Sequence, residues 1–114
     1  MKNCCSDIHE SIKEKIKNSS NFNSDVESIS KIFSLLGDAT RMKIMLSLIE
    51  GELCVYHICE SVGGKQSAIS QHLRKLKDFN LVKCRKEANQ VLYSVADKHV
   101  VEIIMLALQH KECK

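Results

Sequence analysis

The chain contains no proline and only four glycines in 114 residues. Both residue types interrupt regular elements, so their scarcity favours helices joined by few turns. Apolar residues make up 44% of the chain and aromatic residues only 4%. The core must therefore be built from Leu, Ile, Val and Met side chains. At this length the composition predicts one compact domain that is mainly helical.

The spacing of apolar residues divides the chain into a short N-terminal arm, residues 1–23, and one larger domain, residues 24–114. The arm carries a thin apolar stripe, which predicts a short helix, followed by a polar loop. The domain shows helical periodicity over about 24–36, 38–50, 53–62 and 65–78, with glycines at several of the breaks. Residues 81–86 and 91–95 then predict a β-hairpin. A last helix opens at Asp97, so the predicted order is αααααββα.

The same periodicity predicts which side chains face the core. Ser24 and Glu27 match a capping box, which predicts the start of the second helix. The expected inward positions of the second, third and fifth helices are Val26, Ile29, Phe33 and Leu36, then Met42, Met45, Leu46 and Ile49, and then Ile69, Leu73 and Leu76.

Charge and cysteine content restrict the function classes. The net charge of +3 is compatible with nucleic acid but does not require it. No apolar run approaches the roughly 18 residues of a membrane span, and the N-terminus lacks the apolar segment of a signal peptide. We therefore expect a cytoplasmic protein with no membrane partner. In a reducing compartment, metal binding or redox sensing would explain the six cysteines, although Cys59 and Cys84 also fit small buried positions.

Two short helices joined by Gly63-Gly64 and followed by a basic hairpin have the outline of a winged helix-turn-helix. Gln pairs bidentately with adenine, Ser contacts either base edge, and Arg and Lys reach guanine or phosphate. The alternative is that these residues form only a solvated face. The outward residues of the second helix are Lys65, Gln66, Ser67, Ser70, Gln71, Arg74 and Lys75, and the basic residues of the hairpin are Lys83, Arg85 and Lys86.

Four potential metal ligands stand at the two ends of the last predicted helix: Asp97 and His99, then His110 and Cys113. At about 1.5 Å rise per residue the two pairs lie roughly 15 to 20 Å apart, so one chain cannot bring all four to one ion. A second copy of the helix running antiparallel could do so. The pattern therefore predicts a metal site and a homodimer together. The alternatives are an N-cap role for Asp97 and a plain surface role for His110 and Cys113.

Four runs follow one another within residues 26–113: Phe33-Ser-Leu-Leu-Gly-Asp-Ala-Thr-Arg41 with Ile44, Glu52-Leu-Cys54-Val, Gln66-Ser-Ala-Ile-Ser-Gln-His-Leu-Arg-Lys-Leu-Lys77, and Leu81-Val. Together they resemble the ArsR/SmtB family of metal-sensing repressors. The resemblance implies a homodimeric winged helix that binds operator DNA without metal and releases it when metal binds. It puts the family's usual DNA-contacting positions on Gln66, Ser67, Ser70 and Gln71.

The resemblance also implies a metal site on paired C-terminal helices. In this family an Asp-x-His pair from one chain meets a His-x-x-His or His-x-x-Glu pair from the other. Asp97, His99 and His110 match, whereas Cys113 stands where His or Glu is usual. His110 and Cys113 share a helix face, and four N, O and S donors suit tetrahedral zinc. The thiolate should favour zinc or cadmium over nickel.

A second site is implied between the N-terminal arm and the first helix of the helix-turn-helix. Some family members join arm ligands to a Glu-Leu-Cys-Val-x-Asp motif of the other protomer. Tyr56 occupies the position of a second Cys in the cadmium- and lead-sensing branch, which puts a site of three or four thiolates in doubt. The alternative is a mobile arm and ordinary helix residues. The candidate ligands, which would suit tetrahedral zinc, are Cys5, His9, Cys54 and His57, with His57 in place of the motif's Asp.

The sequence therefore predicts a metal-responsive repressor, with Zn(II) or a related ion (Cd, Co or Pb) as regulatory ligand. Operator DNA and a second copy of the chain are the predicted partners. A redox or arsenite sensor using Cys4, Cys5 and Cys54 is the main alternative, but it leaves the His and Asp spacing unexplained. A metal-buffering module would leave the helix-turn-helix unexplained. With no Gly-rich phosphate loop and no open catalytic position, an enzyme is not expected.

Overall fold

A computed structural model describes residues 21–113, and its elements follow the order predicted for that part of the chain, with one short strand added. The first predicted helix, together with Cys4, Cys5 and His9, lies outside the described residues. The division into residues 1–23 and 24–114 stays a prediction. A compact unit begins at Ile32. In chain order the elements are α1 Phe22–Leu36, α2 Ala39–Ile49, β1 Leu53–Cys54, α3 Val55–Val62, α4 Gln66–Asp78, β2 Val82–Glu87, β3 Gln90–Val95 and α5 Lys98–Glu112.

The hairpin is the main part of an antiparallel sheet with strand order β1-β3-β2. Pairing of β2 with β3 runs from Val82 opposite Val95 to Glu87 opposite Gln90, so two residues form the tip. At the tip Ala88 has a φ of 55°, a left-handed conformation that lets the chain reverse tightly. Sheet and helices together form the winged helix-turn-helix fold that the sequence predicts.

The strand β1 corrects the prediction that residues 53–62 are wholly helical. Leu53 pairs with Tyr93 and Cys54 pairs with Leu92. The backbone of Cys54 is extended, with φ −83° and ψ 168°, so the helix begins only at Val55. A strand of two residues is too short for an alternating pattern. Pairing with a distant strand decides its conformation, and local sequence does not.

The turn between α3 and α4 depends on its two glycines. Gly63 has a φ of 86° and Gly64 a φ of 116°, values that side chains with a Cβ rarely adopt. The predicted break at this point is confirmed. The turn joins α3 and α4 through three residues, as the short connection of a helix-turn-helix does.

The core lies between α2, α3 and α4. The predicted inward residues of α4, namely Ile69, Leu73 and Leu76, are all buried. The prediction for α2 is partly wrong, because Leu46 is 43% exposed while the buried residues of this helix are Ile44, Met45 and Leu48. Helix α2 is apolar around much of its circumference, so two faces satisfied the same spacing rule. Leu36, Leu81, Val82, Val100 and Ile104 extend the core.

The start of α1 and the exposure of its apolar face also differ from prediction. The helix begins at Phe22, so Ser24 lies within the first turn and does not cap it. Leu36 is buried as predicted, whereas Val26, Ile29 and Phe33 are exposed in the single chain. An apolar face that stays exposed on a helix is typical of a surface that packs against another chain.

Replacing Leu76 by alanine is expected to lower the free energy of unfolding by about 2–5 kcal/mol, through lost burial and the cavity left behind. Leu76 is 0% exposed, and Leu46, at 43%, offers a matched control. Leu46→Ala removes the same atoms from a half-exposed site and should cost about 1 kcal/mol or less. Urea unfolding followed by circular dichroism measures both. Equal losses would contradict the burial of α2 and α4 described above.

Candidate nucleic-acid interface and metal centre

The helix α4 presents one apolar and one polar face. Ile69, Leu73 and Leu76 fix the first against the core. The polar face is exposed, and the major groove of DNA admits an α-helix. The side chains of this face are donors and acceptors of the kind that contact base edges or phosphates. The residues of this face are Lys65, Gln66, Ser67, Ser70, Gln71, Arg74 and Lys75. The structure therefore brings together the helix residues that the sequence singled out for DNA.

Arg41, on α2, contacts both the last turn of α1 and the helix α4. Its Nε donates to the backbone oxygen of Leu35 at 2.9 Å, and its Nη1 lies 3.3 Å from Nδ1 of His72 on α4. A guanidinium can only donate, so Nδ1 of His72 is the acceptor in this contact. Sequence reasoning used Arg41 only as part of a motif and missed this tether. The signal available in the sequence was a histidine, His72, within the predicted recognition helix.

Asp38 fixes the start of α2, on which the Arg41 tether depends. Its carboxylate accepts a hydrogen bond from the backbone N–H of Arg41 at 3.0 Å, as an N-cap residue does. That hydrogen bond lowers the pKa of the Asp38 carboxyl below its ordinary value. The cap and the tether meet at one residue, so the two together orient α2 relative to α4.

The basic residues of the wing are in two different environments. Lys83 and Lys86 are exposed on β2. Arg85 is held by carboxylates: its Nε and Nη2 donate to the two carboxylate oxygens of Glu52 at 2.8 and 2.9 Å, and Nη2 lies 3.1 Å from Glu87. The contact with Arg85 lowers the pKa of Glu52. Phosphate binding by Lys86 and Arg85 stays a prediction, and Arg85 would have to leave its carboxylates to present Nε and Nη2 to a phosphate.

The tail ligands occupy the two ends of α5. Asp97 is the N-cap residue, accepting a hydrogen bond from the backbone of Val100 at 3.2 Å, and its Oδ1 lies 3.6 Å from Nδ1 of His99. At the other end, His110 belongs to the last turn of the helix and Cys113 follows it. All four side chains are exposed. The cap role of Asp97 leaves its second carboxylate oxygen available as a ligand.

The second candidate pair lies at the start of α3. Sγ of Cys54 is 3.1 Å from Nδ1 of His57, one helical turn further on. Cys54 is half-buried and His57 is exposed. The ring of Tyr56 meets the His57 ring edge to face, with centroids 5.4 Å apart. A thiol and an imidazole at this separation are chemically suited to share one ion.

A single chain brings these ligands together only in pairs. Within residues 21–113, no three His, Cys, Asp or Glu side chains stand close enough to hold a metal ion. The donor sets nevertheless suit zinc chemistry, because each pair supplies two of the four ligands of a tetrahedral site. Each site would therefore need donors from outside the described part of one chain.

The remaining cysteines are half-buried within the fold. Cys59 packs against the core, and the neighbouring Cys84 raises the pKa of Lys77. Cys54, Cys59, Cys84 and Cys113 are all free thiols. Among the helices of residues 21–113, none is both long and apolar enough to cross a membrane.

Comparison with known proteins identifies the family. The family described as "Bacterial regulatory protein, arsR family" matches residues 38–83. The chain is 39% identical to a cadmium resistance transcriptional regulatory protein CadC homolog of Staphylococcus aureus, over 73% of this chain and 69% of that protein. It is 32% identical to the cadmium resistance regulator CadC of Listeria innocua, over 92% and 88% of the two chains.

A solved structure supports the same assignment. The crystal structure of NolR from Sinorhizobium fredii superimposes with a TM-score of 0.73 at 32% identity, covering 80% of this chain and 91% of that one. The exposed polar face of α4, the wing and these similarities agree. The chain belongs to the ArsR family of bacterial regulatory proteins, which are DNA-binding transcription regulators with a winged helix-turn-helix.

Proposed function

We propose that this protein is a metal-responsive transcriptional repressor that binds operator DNA as a metal-free homodimer. The observation that carries the proposal is the exposed polar face of α4, held by a buried apolar face and tethered through Arg41 and His72. Two relatives are named as cadmium resistance regulators, which supports a response to a thiophilic ion. A bacterial repressor acts on DNA, so we propose a cytoplasmic location for the protein. Repression by binding DNA requires no catalytic step.

The homodimer is supported by the apolar side chains that one chain leaves exposed. Leu106 is 63% exposed on α5, and Met105 and Leu108 are exposed beside it. Phe33 of α1 borders an apolar groove that is also lined by Ile103 and Ala107 of α5. Exposed apolar side chains in such number are costly for a lone chain in water, so we propose that a second copy covers them.

The tail site follows from that pairing. If two copies of α5 run antiparallel, the Asp97 and His99 end of one chain lies near the His110 and Cys113 end of its partner. One metal ion would then be bound by all four of these side chains, two from each chain. The thiolate of Cys113 makes the donor set softer than the usual one of the family and favours zinc or cadmium over nickel.

Cys54 and His57 form the nucleus of a second proposed site. They supply one thiolate and one imidazole, and Cys5 and His9 of the arm would supply the other two ligands. The set of two Cys and two His suits tetrahedral zinc. Cys54 follows Glu52 and Leu53 directly, so this site adjoins the strand that supports the wing.

The coupling between metal and DNA is proposed to act through the dimer. The two recognition helices must enter half-sites about one helical turn apart, so their spacing decides how many contacts form together. Ligands on α5 that join the two chains restrict that spacing. Coupling of about 3 kcal/mol would change operator affinity by more than a hundredfold.

The test of DNA binding is fluorescence anisotropy of a labelled duplex carrying the DNA upstream of the protein's own gene. We expect the apo-protein to bind, with affinity falling steeply as salt rises, because Lys and Arg contacts to phosphate release counterions. An unrelated duplex of the same length is the control, and it should bind more weakly by about a thousandfold or more. Equal affinity for both duplexes would contradict a repressor.

A further inference from the structure

Arg85 is the wing residue whose donors are most fully engaged. Three hydrogen-bonding contacts join its Nε and Nη2 to carboxylates: two to Glu52, at 2.8 and 2.9 Å, and one to Glu87, at 3.1 Å. Two carboxylates facing one guanidinium give the cluster a net charge of about −1 at neutral pH. Lys83 also lies near enough to Glu52 to lower the pKa of its carboxyl, so the local charge is close to zero. The carboxylates therefore cancel the attraction that Arg85 by itself would exert on a DNA phosphate.

The sheet register explains how Glu52 reaches Arg85. Strand β3 lies between β1 and β2, and Leu92 of β3 pairs with both Cys54 and Arg85. Cys54, Leu92 and Arg85 therefore form one row on one face of the sheet. Glu52 immediately precedes β1, two residues before Cys54, and its carboxylate reaches Arg85 of β2. The contact joins positions 33 residues apart in the sequence.

The ion pair is exposed, so a phosphate can compete for it. The side chain of Arg85 is 52% exposed and that of Glu52 is 38% exposed. Exposed ion pairs are weak, and a phosphate accepts the same two parallel N–H donors as a carboxylate. Exchange of one oxyanion for the other therefore requires no rearrangement of the core.

We propose that Glu52 competes with DNA phosphate for Arg85 and so lowers operator affinity and its salt dependence. The inference rests on the proposed DNA binding. It adds that Glu52 is a residue that determines the operator affinity. With Glu52 present, a phosphate gains the Nε and Nη2 donors of Arg85 only after two hydrogen bonds break and a carboxylate is left beside anionic DNA. With glutamine at position 52, Arg85 is released for a phosphate contact.

The test compares Glu52→Gln, Arg85→Gln, the double variant and Glu50→Gln as full-length apo-proteins, by anisotropy on the duplex described above. Glu50→Gln removes the same charge from an exposed side chain two residues away. At about 0.15 M salt we expect Glu52→Gln to bind about threefold to tenfold more tightly than wild type, with a salt slope steeper by about two units, one for each wing of the dimer. In the Arg85→Gln background the gain should vanish. Circular dichroism melting checks that all variants fold.

Three outcomes would overturn the proposal. An equal gain for Glu52→Gln and Glu50→Gln would indicate a general charge effect, and an equal gain with and without Arg85 would indicate the same. A loss of affinity in Glu52→Gln would mean that the ion pair supports the bound form of the wing. In each of these cases wild type still binds the duplex, so the proposed function survives. If wild type shows no salt-dependent binding, both proposals are wrong.

Discussion

Replacing His110 by alanine is expected to leave operator binding by the apo-protein unchanged and to remove most of the zinc-driven release. His110 is exposed in the last turn of α5, away from the core, so its loss should not unfold the chain. It would remove one of four ligands from the tail site. With coupling of about 3 kcal/mol in wild type, the ratio of operator affinities without and with zinc should fall from more than a hundredfold to a few-fold.

Lys111→Ala is the matched control for His110→Ala, because Lys111 is the exposed neighbour on the same helix turn and is no metal ligand. It should respond to zinc as wild type does. His57→Ala tests the other candidate site in the same assay. If His110→Ala still releases DNA fully with zinc, the tail site has no part in the response. If His57→Ala then fails to release, the site of Cys54 and His57 controls it.

Gln71→Ala is expected to weaken operator binding by about 10-fold to 100-fold while leaving the melting temperature unchanged. A bidentate pair between glutamine and adenine contributes roughly 1–3 kcal/mol of discrimination. Gln71 is exposed on the polar face of α4 and contributes nothing to the buried face. The loss should therefore be confined to the operator and be small on an unrelated duplex. Anisotropy on both duplexes measures the two effects.

Gln109→Ala removes the same side chain from an exposed position of α5 and is the matched control for Gln71→Ala. It should bind the operator as wild type does. A Gln71→Ala variant that loses affinity equally for both duplexes would show that Gln71 positions the helix on phosphates and reads no base. Unchanged affinity would contradict the assignment of α4 as the recognition helix.

The parts of the fold that the sequence predicted are those decided by local pattern. Ile69, Leu73 and Leu76 recur at helical spacing on a helix that is otherwise polar, so only one face could be buried. Gly63 and Gly64 mark a backbone that other residues rarely adopt. The hairpin tip is likewise a local feature. In each case the information lies within a few consecutive residues.

The parts that the sequence did not predict depend on distant contacts. Strand β1 exists because Leu53 and Cys54 pair with Tyr93 and Leu92, almost 40 residues further along the chain. The burial of Ile44, where Leu46 was expected, depends on where α2 packs and not on its own periodicity. The pairing of Arg85 with Glu52 is non-local in the same way.

The candidate sites divide along the same line. The outward residues of α4 could be read from periodicity. The candidate ligands at the ends of α5 were proposed from residue type and spacing, and Cys54 and His57 from the family resemblance. The arrangement of the candidate ligands around an ion could not be predicted. The described part of one chain brings them together only in pairs, such as Cys54 with His57. Completing a set of four requires the arm or a second copy.

The central claim is that metal binding weakens the hold of the apo-dimer on its operator. The most direct measurement is the dissociation constant of the wild-type protein for its own upstream duplex, by anisotropy at fixed salt, without and with stoichiometric zinc. We predict tight binding without metal and a dissociation constant more than a hundredfold larger with zinc, reversed by a chelator. An identical dissociation constant in the two conditions, with zinc shown to be bound, would contradict the account.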